Sequence, residues 1–167
     1  MRSTAPESPE EAAALPPINF DSVMTFVSRP VQAAFDYWDR QREGRVMPSR
    51  TDLLLNEMGD FVDSVGLVEE TSSALSVPDY FVIFAGRNIE AIYGSRAGRT
   101  LSEGVPSQIA QRWHLGFDMV RRSGKPIKAT AHVAFEGKTG IEVEILVAPV
   151  GKEATPSAFF VAIAALN

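Results

Sequence analysis

Residues 127–166, IKATAHVAFEGKTGIEVEILVAPVGKEATPSAFFVAIAAL, carry the pattern that decides the fold class. Apolar and polar residues alternate over 127–135 and 141–149, the two-residue period of strands with one face on a core. The EGKTG between them reads as a turn. Pairing Phe135 with Ile141 sets Val133 opposite Val143, Ala131 opposite Ile145 and Ala129 opposite Val147, all on one face. The other face then carries His132 opposite Glu144, Ala134 opposite Glu142 and Thr130 opposite Leu146. The third run, 157–166, is apolar on both faces. It predicts a central strand whose outer side needs a cover.

Working outward, Ile109, Trp113, Phe117 and Val120 make a helical stripe within 106–124, with Pro106 near its start and Gly124 at its end. Residues 87–94 predict a short helix stopped by Gly94. The runs 61–70 and 80–86 predict two strands, and TDLLLNE at 51–57 a short helix or turn. A further helix is expected over 30–43. Pro30 suits its first turn. Val31, Ala34, Phe35, Trp38 and Arg42 share a face, and Asp36 precedes Arg40 by one turn. Residues 1–19, rich in Pro, Glu, Ala and Ser, predict a disordered tail. The chain thus divides into the tail, a helix and loop at 20–58, and a domain at 59–167. The fold class is α+β: about five antiparallel strands, helices across one face, and an extra N-terminal helix. The outer sheet face is left for that helix or for a second subunit.

Composition narrows the function classes. The chain has 167 residues, 45% hydrophobic, with a formal net charge of −5, against the basic face of a nucleic-acid binder and against an anionic membrane surface. With no cysteine, disulfides, thiol nucleophiles and cysteine-ligated metals are excluded. No apolar run reaches the ~18 residues of a membrane span, and no signal-peptide pattern opens the chain. A cytoplasmic protein is expected.

The order of elements and the stretch PDYFVIFAGRNIEAIYGSRAGRTLSE resemble a PAS domain. Ahead of the sheet stand Tyr37, Trp38, Arg42, Gly44, Arg45, Met47, Pro48, Arg50 and Asp52. They resemble the YW-x-x-x-R-x-G-R-x-M-P-x-R-x-D words of a stand-alone, largely alphaproteobacterial PAS family. The likeness spans about 33–166 and departs at LLLNEMGD, where that family has an Asp-Pro turn. It implies a sensory or interaction module holding a small ligand between the inner sheet face and the helices. Such a module signals through the outer face and flanking helix, often as a homodimer or with a signalling-protein partner.

Tyr80, Phe84, Asn88, Tyr93, Trp113, His114 and Phe117 are the candidates for a pocket, with a small metabolite as occupant. Asn88 and the tyrosine hydroxyls are its polar groups. The resemblance also offers His114 as a haem ligand; cysteine-dependent flavin photochemistry is excluded, while a non-covalent flavin stays open beside a small metabolite. Phe35, Tyr37, Trp38, Arg40, Arg45, Arg50 and Asp52 are the interaction-surface candidates, the arginines suited to acidic or phosphorylated partners. His132 and Glu144, with Glu142 near, make a poor metal set and read as a surface ion pair. GKT at 137–139 lacks the leading glycine of a phosphate loop. No nucleophile stands with a base, so no catalytic residue is assigned. Two rival readings remain: a small-molecule-binding enzyme on another α+β sheet, and a structural dimerisation module with a filled core.

Overall fold

The computed structural model describes residues 18–71, 78–133, 140–152 and 154–166. The strand-period segments form one antiparallel sheet. It consists of β1 (Asn19–Asp21), β2 (Val65–Thr71), β3 (Asp79–Ala85), β4 (Ile127–His132), β5 (Glu142–Val150) and β6 (Ala158–Ala165). Their order is β1-β4-β5-β6-β2-β3. The fold is α+β as expected, but among the described residues the sheet has six strands rather than five. The sixth, β1, pairs Phe20 with Ala129 on the β4 edge. Ile18 packs on the core and Asn19 opens this strand, so both fall outside the tail expected over 1–19. The rest of that tail lies outside the described residues.

The doubly apolar run is central. β6 pairs with β5 through Val147 and Val161 and with β2 through Gly66 and Val161. Phe159, Val161 and Ile163 belong to one core, and Phe160 and Ala162 to the other.

The β4–β5 register differs from the expectation by two residues. Ile127 faces Val147, Ala129 faces Ile145, Ala131 faces Val143, Thr130 faces Glu144 and His132 faces Glu142. A slip of two leaves every side chain on its predicted face, so hydrophobic alternation alone cannot distinguish the two registers. The pairs assumed for Ala134 and Phe135, and the turn itself, fall outside the described residues. The last described link is the Val133 N–H donating to the Ile141 carbonyl at 2.8 Å.

The inner face is covered by α2 (Arg87–Tyr93), α3 (Leu101–Gly104) and α4 (Ser107–Ser123). The predicted stripe of α4 is buried at Ile109, Phe117 and Val120. Gly124 ends the helix at φ 70°, a left-handed conformation that favours glycine. Residues 61–64, expected to begin a strand, lie in a 3-10 helix, Gly59–Ser64, instead. Gly86 lets β3 pass it: a Cβ there would lie 2.4 Å from the Asp63 carbonyl oxygen. The helix or turn expected over 51–57 is two short 3-10 turns, Arg50–Asp52 and Leu55–Glu57. The free edge of β3 is partly paired: Val82 exchanges backbone hydrogen bonds with Gly98 and Arg99.

The outer face is covered by α1 (Arg29–Gln41). Val31, Ala34, Tyr37 and Trp38 pack over Leu146, Ala148, Phe160 and Ala162. Of the two covers anticipated for this face, the chain supplies its own helix.

Candidate functional site

Two small cavities lie between the inner sheet face and the helices, each of about 50 Å³. One sits under α2, α3 and α4, lined by Val82, Ile89, Arg96, Leu101, Val161 and Ile163 among others. The second sits under β1, lined by Phe20, Arg112, Ala129, Ala131 and Val143 among others. Tyr93 and Trp113 line both and so stand between them. Their rings meet edge-on at 6.1 Å. Burial raises the Tyr93 pKa, against the opposing pull of its Trp113 hydrogen bond and the Arg112 charge. The phenol therefore stays protonated at neutral pH.

Of the seven pocket candidates, Phe84, Tyr93, Trp113 and Phe117 line the first cavity. Tyr80, His114 and Asn88 line neither. Tyr80 is buried in an aromatic cluster, 4.5 Å from the Phe117 ring, and its hydroxyl meets Arg121. Arg121 also reaches Glu70 at 2.8 Å. Asn88 is exposed on the far side of α2 and donates to the Ser64 hydroxyl at 3.0 Å. Helical geometry explains the miss: Asn88 is next to Ile89, about 100° around the helix from the face that turns inward.

His114 faces an open groove with Gln111, Asp118 and Arg121 rather than either cavity. Its ring stacks edge-on against Tyr80 at 5.0 Å, and its Nε2 lies 3.9 Å from Asp79 Oδ1. Burial lowers its pKa, against the pull of Asp79. Ser102 donates to the other oxygen of Asp79. Burial pushes the Asp79 carboxyl up, but hydrogen bonds from Ser102 and the Tyr80 N–H outweigh it and hold the pKa low. The order is thus serine to carboxylate to histidine. An acyl-transfer triad needs the histidine beside the serine, and a low-pKa carboxylate is a weak base. Among the described residues, no group of three His, Asp or Glu side chains could hold a metal ion.

Arg96 lines the first cavity and is not among the seven candidates. Its Nε and Nη1 atoms are sealed from water and, among the described residues, have no hydrogen-bond partner. A lone arginine in a loop between glycines carried no signal of burial.

The interaction-surface candidates divide. Trp38 and Tyr37 are 2% and 3% exposed and belong to the outer core. The Trp38 indole N–H donates to the Pro149 carbonyl at 2.9 Å. The Tyr37 hydroxyl accepts the Leu54 N–H at 2.9 Å. Phe35 is half-buried and stacks on Trp38 at 6.0 Å. Arg45 and Asp52 staple the loop to the end of α1. Arg45 Nη2 lies 2.9 Å from Asp52 Oδ2 and 3.0 Å from the Gln41 carbonyl. Hydrogen bonds from the Ser49 backbone N–H and from Arg45 lower the Asp52 pKa. Arg40 and Arg50 remain exposed, Arg50 pairing with Glu69 at 3.2 Å.

Glu144 does not pair with His132; it faces Thr130, and its ion-pair contact is Lys128 at 3.8 Å. It is 2% exposed, and its carboxylate accepts the Ser28 N–H at 2.7 Å and the Val27 N–H at 2.9 Å. It thereby seals the start of α1, where backbone donors lack helical partners. His132 is exposed on the same face, opposite Glu142.

No family model, curated protein or solved structure matches this chain. No helix among the described residues is long and apolar enough to cross a membrane.

Proposed function

We propose that the chain is a non-catalytic, cytoplasmic PAS-like sensory module. It acts through protein contacts, with a small ligand held between the inner sheet face and the helices. The observation that carries this reading is the strand order. The strand after the long helix and its two successors run β4, β5, β6, and β6 returns beside β2 rather than ending at an edge. A PAS sheet has its last strand beside its first, the arrangement that β6 and β2 make here. Here β1 is an added edge strand, outside the five of the resemblance.

The contact surface in this reading is the exposed margin of α1 and the loop after it. Arg40, Arg50 and the 44%-exposed Leu54 offer cations beside an apolar residue, suited to an acidic partner or a second copy of the chain. Native mass spectrometry with an absorbance scan of freshly purified protein reports oligomer state and retained ligand together. A homodimer or a retained small molecule is expected; a ligand-free monomer at every concentration sinks the reading. The double charge reversal Arg40→Glu, Arg50→Glu is expected to weaken association about tenfold, with only the small loss of Tm that breaking the exposed Arg50–Glu69 pair brings.

A second reading, a structural module with a filled core, is favoured by the size of the cavities. Each is about 50 Å³, well below the about 300–1,000 Å³ of drug-sized ligand sites. Under that reading no small molecule changes Tm.

A further inference from the structure

We propose that the cavity beneath α2 and α3 binds a short-chain monocarboxylate through Arg96. This rests on the ligand-sensing reading above and names the chemical class of its ligand. Arg96 lines the cavity, and its buried Nε and Nη1 meet no acceptor among the described residues. Buried donors are normally paired, and a buried charge left unpaired is costlier than a neutral group. A carboxylate in the cavity supplies both the acceptor and the opposite charge.

The position of the guanidinium is built into the chain. Gly104, in α3, leaves the space it occupies: a Cβ there would lie 1.7 Å from Arg96 Nη1. Gly104 is absent from the glycines with positive φ, so the backbone does not require glycine at this point. A Cβ there would push the guanidinium aside. A PAS-independent feature of the sequence, a glycine ending a short helix, thus makes room for a cation.

The remaining wall sets the ligand class. It is apolar at Val82, Ile89, Leu101, Val105, Val161 and Ile163. One guanidinium balances one negative charge, so a dianion such as phosphate would leave a second charge against hydrocarbon. A water needs about 10–15 Å³ on this measure, and the cavity offers about 50 Å³. The apolar tail is therefore only a few carbons long.

The test titrates sodium butyrate into the full chain, with 1-butanol as the uncharged counterpart. Calorimetry gives affinity, and the Arg96 Nε–H resonance reports the site. Butyrate is expected to bind with a Kd on the order of 1 mM and to shift that resonance, and butanol to bind about tenfold more weakly. Arg96→Met, which keeps the apolar stem, removes the preference for butyrate. Gly104→Ala does the same by displacing the guanidinium while its charge remains. Equal binding of butyrate and butanol to the wild-type chain overturns the carboxylate assignment but leaves a ligand cavity. A butyrate shift at Arg112 with Arg96 unmoved also overturns it. Binding of neither compound overturns the site; the sensing reading then stands or falls on the native mass spectrometry described above. If Arg96→Met fails to fold, the wild-type resonance and Gly104→Ala decide.

Discussion

Two carboxylates hold the N-terminal helix, one at each end, and they differ in how far the sequence betrays them. Glu144 was legible only as a polar residue on an outer strand face. Its partners are backbone N–H groups at Val27 and Ser28, more than a hundred residues away, which no side-chain pattern encodes. Glu144→Ala leaves the buried Ser28 donor without an acceptor and is expected to cost about 2 kcal/mol; Glu144→Gln, which keeps one carbonyl oxygen, about half that. Urea midpoints at constant m-value check both. Asp52 lies in a local loop, and its roles are closer to the sequence: Ser49 precedes it by three and Arg45 by seven. Its folded pKa lies below the unfolded value, so its stabilisation is full above the unfolded pKa and is lost as pH falls through the folded one. Asp52→Asn is expected to flatten the pH dependence of Tm below about pH 4. An unchanged acid limb would show that the staple contributes nothing.

At the scale of elements, the helices α1 and α4 were legible because their apolar stripes and end signals agree. The limits were physical. A three-residue strand such as β1 is too short to show a period, and the two-residue slip between β4 and β5 preserves every face. Trp38 was legible as part of a buried helix face but also stood among the docking candidates; an apolar stripe cannot say whether its cover is the same chain. It is the same chain. Trp38→Phe, losing the bond to the Pro149 carbonyl, is expected to cost about 1 kcal/mol, and Trp38→Ala about 4 kcal/mol. Both act on unfolding midpoints. A change in association with no loss of stability would return Trp38 to the surface.

At the scale of the molecule, α1 and α4 make a three-layer arrangement with a core on each sheet face. The outer core exists only while α1 is docked. A chain lacking residues 1–43 therefore exposes Leu146, Ala148, Phe160 and Ala162 as one patch. It is expected to elute as dimers or larger species in size-exclusion chromatography and to bind a hydrophobic dye. A dye-free monomer would mean that the sheet stands without its cover. The distance along the chain between Glu144 and the start of α1 has a kinetic consequence. The clamp cannot form until β5 is in the sheet, and closing so long a loop is entropically slow. The sheet and its inner helices are expected to set first and the N-terminal helix to lock on last; native-state hydrogen exchange checks this, with α1 the first helix to open.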